Sequence, residues 1–380
     1  VVKAVALLSG GLDSRLAIRV VQDQGLEVHA INYVSCFSTY MGKARRQSEA
    51  ARAAEQLGVP LKLIPISKRL IEIVKNPKHG YGKNMNPCID CRILTFRLAK
   101  EHMKRIGASF MITGEVLGQR PMSQRRDAMR LIDKKADVQG LVLRPLSAQH
   151  LSVTIPEREG WIEREKLLSI TGRSRKEQIR LAEHYGIRDY PSAAGGCLLT
   201  YEGFANKVQD LLAHKDADIN GMLLLRVGRH FRLPQGGKAV VGKDKEQNRR
   251  ILQLARKGDI VFRPQGNLPA PTALLRDSNS AASDFGFRIS DSGFRNLQSA
   301  TRNHHRRSHS GSIVHPGSDA EGTLASEEEI AITADLCISH SKLRTEPFIP
   351  IECYRYESPS EIRIINAKAM PRETIDSLRI

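Results

Sequence analysis

The apolar run Val1 to Leu8 passes directly into Ser9-Gly10-Gly11-Leu12-Asp13-Ser14, and few folds begin with a strand, a two-glycine turn and a helix start in that order. Adjacent glycines let the backbone turn sharply and bring its N–H groups close to an anion, while Asp13 and Ser14 stand where a helix begins. Leu16, Ala17, Val20 and Val21 share one face of that helix before Gly25 ends it. An ordinary strand-to-helix turn is the plainer reading of two glycines. The strand and helix in register on either side argue for a phosphate turn instead. It is not a Walker A loop, because no Gly-Lys-Ser or Gly-Lys-Thr follows.

Strands and helices alternate through the first 115 residues, as a doubly wound parallel sheet requires. Strands are predicted at Glu27 to Ser35, Leu61 to Ile66 and Ser109 to Thr113, and helices at Gly42 to Gly58, Lys68 to Lys75, Ile89 to Gly107 and Arg175 to Tyr185. The predicted fold class is α/β, a doubly wound parallel sheet with a smaller C-terminal α+β domain. Ligands of such sheets sit beyond the carboxyl ends of the strands. Tyr33 to Thr39, Asn76 to Cys91 and Gly114 to Arg126 should therefore gather near the phosphate turn.

Six cysteines, at positions 36, 88, 91, 197, 337 and 353, are too few and too irregular for a disulfide framework in 380 residues. Cys36, Cys337 and Cys353 read as isolated apolar fillers. Cys88 and Cys91 form a C-x-x-C behind Pro87, which puts both sulfurs on the first turn of the predicted helix, facing the same way. Partial positive charge at a helix start favours thiolates. Such a pair points to metal or sulfur chemistry. In Gly195-Gly196-Cys197 the glycines permit close approach of the third sulfur to another group.

The hexapeptide of residues 9 to 14 resembles the S-G-G-x-D-S turn of the PP-loop ATP pyrophosphatases, which adenylate their substrates. Ile112-Thr113-Gly114-Glu115-Val116-Leu117-Gly118-Gln119, then Ser123-Gln124, then Leu143-Arg144-Pro145-Leu146 resemble in order and spacing the motifs of the 4-thiouridine synthase branch, which acts on tRNA. Arg120-Pro121-Met122 departs from that branch, which has small residues there, and adds positive charge. Asn86-Pro87-Cys88-Ile89-Asp90-Cys91 is similar instead to the cysteine loop of 2-thiouridylases and of iron-sulfur-dependent tRNA thiolation enzymes, and Cys197 falls where both branches place a sulfur-handling cysteine.

The resemblance covers roughly residues 1 to 200 and implies ATP and Mg²⁺ at the turn. Gly10 and Gly11 would donate from the backbone and Ser9 and Ser14 from hydroxyls, with Asp13 near the metal and Gly114, Glu115 and Gln119 completing the nucleotide site. Cys88, Cys91 and Cys197 would either bind a 4Fe-4S cluster with one iron left open or carry a persulfide that a second thiol resolves. A zinc site completed by His79 or His102 is the structural alternative.

Net charge is +18, from 59 Lys and Arg against 41 Asp and Glu, so an extended polyanion such as RNA is the expected partner. The PP-loop domain is expected over 1–215. Beyond it, Gly228-Arg229-His230-Phe231-Arg232-Leu233, Lys238 to Lys243 and Gly258 to Phe262, with a helix at Arg249 to Lys257, resemble the NFACT RNA-binding module. The likeness resumes in a helix at Glu327 to Ser341 and a strand at Phe348 to Tyr354, giving a domain over 216–275 and 327–356. Its implied phosphate contacts are Arg229, His230, Arg232, Lys238, Lys243 and Lys245.

The serine-rich tract 276–326, which contains Asn303-His304-His305-Arg306-Arg307, is expected as a disordered insertion or a stretch of anomalous sequence, and 357–380 as a C-terminal tail. No apolar stretch is long enough to cross a bilayer, and neither a THUMP-type nor a rhodanese region flanks the PP-loop stretch, so a cytoplasmic enzyme supplied by a cysteine desulfurase or sulfide is expected. Together the resemblances imply ATP-dependent tRNA uridine thiolation. A PP-loop enzyme amidating or thiolating a small metabolite, or a non-catalytic RNA- or ribosome-binding protein, are the rival expectations.

Overall fold

Val5 and Leu7 of the first strand face one way and Ala4, Ala6 and the following Leu8 the other, each set buried in its own apolar cluster, so helices cover this strand on both faces. The computed structural model describes residues 2–39, 48–191, 196–214, 217–266, 268–277 and 325–380. They fall into two units, Val1–Ala205 and Asn206–Ile380, which part ahead of the expected boundary at 215.

The first unit holds β1 (Lys3–Leu7), α1 (Leu12–Gln22), β2 (Glu27–Val34), α2 (Glu49–Leu57), β3 (Leu61–Pro65), α3 (Ser67–Lys75), α4 (Cys88–Arg105), β4 (Phe110–Thr113), α5 (Arg126–Lys135), β5 (Val142–Leu143), α6 (Ile155–Arg158) and α7 (Lys176–His184). Its five strands are parallel in the order β3-β2-β1-β4-β5. The chain winds outward from β1 to β3, crosses back, and continues the other way through β4. The crevice at that reversal opens at the carboxyl ends of β1 and β4. Leu12, Leu16 and Val20 of α1 and Ala53 and Leu57 of α2 fill one face; Ile93, Phe96 and Ala99 of α4 and Ile132 of α5 fill the other. The Ser48 side chain caps α2, and Gly58, at φ +64°, closes it. The earlier part of the helix foreseen from Gly42 falls on residues 40–47, outside the described residues.

The division between the units falls within α8 (Glu202–Ala213). The second unit continues with α9 (Ile219–Leu224), β6 (Arg229–Arg232), β7 (Lys238–Val241), α10 (Lys245–Leu254), β8 (Ile260–Pro264), β9 (Ala273–Arg276), α11 (Glu327–Ser339), β10 (Ile349–Arg355), β11 (Arg363–Ala367) and α12 (Arg372–Leu378). Its strands form an antiparallel sheet in the order β11-β10-β8-β9-β7-β6. Side chains alternate across that sheet: Ala239, Val241, Phe262 and Leu275 join the cluster that holds Ala334 of α11, while Val240, Val261 and Leu274 join Leu224 and Ile251.

The segment 357–380 is not a tail. Residues 363–367 extend the sheet as β11, and the Ile380 N–H donates to the His230 carbonyl beside β6 (3.2 Å). Its pattern is hard to read in sequence because β11 is an edge strand whose Ile364 stays exposed, so apolar and polar residues do not sort by face. The tract from 278 to 324, including the His304-His305 pair, lies outside the described residues. No helix among the described residues is long and apolar enough to cross a membrane.

Candidate active site

Gly10 adopts φ +85°, and a Cβ there would lie 2.5 Å from the Glu49 backbone at the head of α2, so both conformation and close approach require glycine. Ser14 Oγ donates to the Gly11 carbonyl (2.8 Å), the Gly11 N–H donates to Ser9 Oγ (3.3 Å), and the two hydroxyls stand 3.2 Å apart. Arg15, which the motif reading passes over, is buried beneath the turn. Its Nε donates to the Gly10 carbonyl (3.0 Å), and its other nitrogens reach Gln56 and the carbonyls of Arg188 and Asp189.

Gly114 leaves β4 so close to α1 that a Cβ would stand 2.5 Å from Asp13 C, Asp13 O and Ser14 N. Gln119 Nε2 donates to Asp13 Oδ2 (3.0 Å), and Arg175 at the head of α7 lies 3.7 Å from Asp13 Oδ1. Asp13 Oδ1, Gln119 Oε1 and Arg175 Nε are buried with no hydrogen bond among the described residues, the mark of a place where a ligand or ion completes the bonding. Arg175 stands by Asp13 at the start of α7, and Tyr185 at its end lies 5.8 Å below the guanidinium of Arg19. The two helices therefore run parallel, with both partly positive N-termini at the turn.

Glu115, implied as a nucleotide contact, is instead a buried anchor, 2% exposed. Arg92 and Arg144 each meet one of its carboxylate oxygens at 3.0 Å, and Thr113 Oγ1 donates at 3.2 Å. Burial alone would raise its pKa, but the two guanidinium groups outweigh that and hold the carboxyl below its usual range. Arg144 also grips Asp133 with two bonds (2.9 and 2.7 Å), so the arginine of the R-P-L stretch ties β5, α5 and the loop after β4 together.

α4 begins at Cys88, with the Cys91 N–H on the Pro87 carbonyl (2.9 Å). The His79 N–H and Nδ1 meet the two oxygens of Asp90 at 2.9 and 2.8 Å, folding the preceding loop onto this helix start. Asn84 Nδ2 donates to the Thr200 carbonyl (2.8 Å), and the Leu198 and Thr39 N–H groups donate to the Phe37 and Gly196 carbonyls (2.8 and 3.2 Å). The Cys197 segment is thereby held to the end of β2 and to the Cys88 loop, close enough that charge on Cys91 and Cys88 acts on Cys197. Gly82 packs on Met122, which brings in the loop after β4 as well. The three segments expected to converge do so.

The thiols are not predisposed to ionise, contrary to the expectation from the helix start. Burial pushes Cys91 up to about 11 and Cys197 up to about 12, and raises Cys88, where Arg92, Arg120 and Asn86 offset it only in part. Desolvation outweighs the helix dipole here. None of the six cysteines forms a disulfide. Among the described residues no group of three or more His, Cys, Asp or Glu stands arranged to hold a metal ion. His79 is engaged by Asp90, His102 lies well along α4, and the three sulfurs are neighbours without a preassembled ligand set.

In the second unit, four of the six implied phosphate contacts are engaged internally. His230 is buried with Nε2 against the Val227 carbonyl (2.8 Å), and Lys238, also buried, donates to Asp210 (2.9 Å). Arg232 grips the same carboxylate at 2.9 and 2.6 Å, and Arg229 reaches the Gly242 carbonyl (3.3 Å). Lys243 and Lys245 stand exposed. Asp210, far upstream on α8, supplies the counter-charge that made a local reading of this basic strand misleading.

Residues 2–152 match the family model described as Thiamine biosynthesis protein (ThiI). The tRNA-specific 2-thiouridylase MnmA of Trichlorobacter lovleyi is 29% identical over 156 residues, 40% of this chain and 44% of that protein. MnmA of Listeria monocytogenes is 22% identical over 278 residues, 65% of this chain and 70% of its own. The chain thus spans less than half the length of the first relative. Among solved structures, the tRNA thiolase NcsA from Methanococcus maripaludis, with its 4Fe-4S cluster, is similar over 59% of this chain and 70% of that one, at 16% identity and a TM-score of 0.31, too slight a likeness to bear on mechanism. Residues 2–152, with the nucleotide-type turn at the sheet's reversal point, are thus similar to the ThiI family and, more distantly, to the tRNA 2-thiouridylases.

Proposed function

We propose that this protein is a cytoplasmic ATP-dependent tRNA sulfurtransferase that thiolates a uridine. The observation that carries the reading is the convergence of three thiols on the same end of the parallel sheet as the Ser9 to Ser14 turn, through the bonds that join residues 37–39, 84 and 196–200.

ATP with Mg²⁺ supplies an adenylyl group. The Gly10 and Gly11 N–H groups and the N-termini of α1 and α7 would receive its phosphates, and the orphaned Asp13 Oδ1 suits the metal. The uridine carbonyl oxygen attacks the α-phosphorus and pyrophosphate leaves, which turns that oxygen into part of a good leaving group. A persulfide on one cysteine attacks the carbonyl carbon through its terminal sulfur, and AMP departs. A second thiol then attacks the inner sulfur, which forms a disulfide and leaves the thiocarbonyl on the base. Either a dithiol reductant reopens that disulfide and a cysteine desulfurase passes sulfane sulfur to the freed carrier thiol, or sulfide attacks the disulfide itself, which regenerates the persulfide and releases the second thiol. Cys88 suits the carrier role, because Arg92, Arg120 and the Asn86 side chain all favour its thiolate.

A 4Fe-4S cluster is the second reading, favoured by one observation: three neighbouring cysteines exceed the two that a relay uses. Visible absorption of anaerobically purified protein, lost in Cys88→Ala, supports the cluster; colourless protein that thiolates supports the relay. The deciding experiment incubates the protein with ATP, tRNA and a persulfide donor and analyses the nucleosides by mass. A thionucleoside with matching AMP is expected. AMP formation indifferent to tRNA would instead point to a small-metabolite substrate.

A further inference from the structure

The excess positive charge of the chain falls mainly in residues 1–205 rather than in the second unit. Lys83 lies on the loop before α4, Arg120 on the loop after β4, and Arg126 and Arg130 one turn apart on α5, about 6 Å from each other. All four are exposed, and none pairs with a carboxylate among the described residues. Nearby cations differ: Lys100 is bound by Asp137 and Arg125 by Asp127. The two loops touch, since a Cβ on Gly82 would run into Met122 Sδ. Arg120 is also close enough to Cys88 and Cys197 for its charge to favour their ionised forms. The uncompensated cations therefore form a rim that ends at the sulfurs.

We propose that Lys83, Arg120, Arg126 and Arg130 are the surface on which the RNA backbone docks, with Arg120 holding the phosphate beside the target nucleotide. An extended polyanion fits better than a single phosphate, because the charges are spread over two loops and a helix and do not close around one point. Phosphate contacts of this kind position RNA and carry little sequence information. The placement reverses the expectation that the second unit captures RNA, where Arg232 and Lys238 are already held by Asp210. The proposal rests on the thiolation reading.

The test measures tRNA binding to the full chain by anisotropy over a series of salt concentrations, with thermal melting to confirm folding. Arg126→Glu with Arg130→Glu is expected to weaken binding at least tenfold and to lower the slope of log Kd against log salt by about 2. Lys243→Glu with Lys245→Glu serves as the comparison and is expected to change binding less than threefold. Arg120→Ala is expected to lower the slope by about 1 and to reduce thionucleoside formed per bound tRNA. The rim is refuted if the α5 pair binds tRNA like wild type while the Lys243 and Lys245 pair abolishes binding. It is refuted equally if the α5 variant keeps its RNA affinity but loses response to a cysteine desulfurase, which would mark the rim as a protein contact. A wild-type chain with no affinity for tRNA at low salt would overturn the thiolation reading itself, a result distinct from either.

Discussion

Replacing Gly114 with alanine puts one methyl group where the loop after β4 meets the first turn of α1. It would stand 2.5 Å from Asp13 C, Asp13 O and Ser14 N, against an ordinary contact of 3.4–4 Å, so loop and helix must separate by about 1 Å. All three neighbours are backbone atoms, and none can rotate away. Overpacking of this kind costs about 1–3 kcal/mol, a loss of roughly 3–10 °C in Tm for a unit of this size. Function should suffer more, because a shift of about 1 Å between Asp13 and the Gln119 loop misplaces groups on both sides of the phosphates, worth about a hundredfold in rate. AMP release with saturating tRNA and a melting curve measure the two effects. Gly203→Ala, where a Cβ meets nothing within 4 Å, is the control and should change neither. A Gly114→Ala protein that melts within 1 °C of wild type and forms AMP within about threefold of its rate would refute the claim that these two segments build one site.

Arg144→Met should destabilise the first unit by about 3–5 kcal/mol at pH 7, since it strands Asp133 and leaves the buried Glu115 with Arg92 alone. Glu115 is held below its unfolded value, so its contribution is complete above that value and fades as pH falls through the folded one; the deficit of Arg144→Met in urea melts should therefore shrink toward pH 4, and a pH-independent deficit would contradict the ion-pair account. Native Cys91, raised to about 11, should be alkylated about a hundredfold more slowly than the unfolded chain at pH 8, with a rate that climbs through that value, as peptide mass mapping would reveal. Cys91→Ser and Cys197→Ser should each keep AMP formation and lose the thionucleoside; thiolation within twofold of wild type in both would remove the sulfur role from this trio.

What the sequence discloses is what local pattern encodes. The phosphate turn, the strand and helix alternation and the start of α4 behind Pro87 are all written within a few residues of where they act. What it hides are partnerships across the chain. Nothing near Glu115 says that Arg92 and Arg144 will enclose it, so a motif position passes for a nucleotide contact. Nothing in the basic stretch at Arg229 to Arg232 announces that Asp210 will absorb its charge. The thiol ionisation goes astray for a related reason: the helix dipole is legible in the residue order, but the depth at which the sulfurs sit is a property of the packed loops. β11 escapes because an edge strand need not sort its residues by face.

Arg15 makes the glycine pair answerable to a distant part of the first unit. One guanidinium holds the carbonyl of Gly10 together with the backbone carbonyls of Arg188 and Asp189. The shape of the turn is therefore not set by its own six residues alone: loosening the backbone at Arg188 and Asp189 would reach the Gly10 peptide through one planar group.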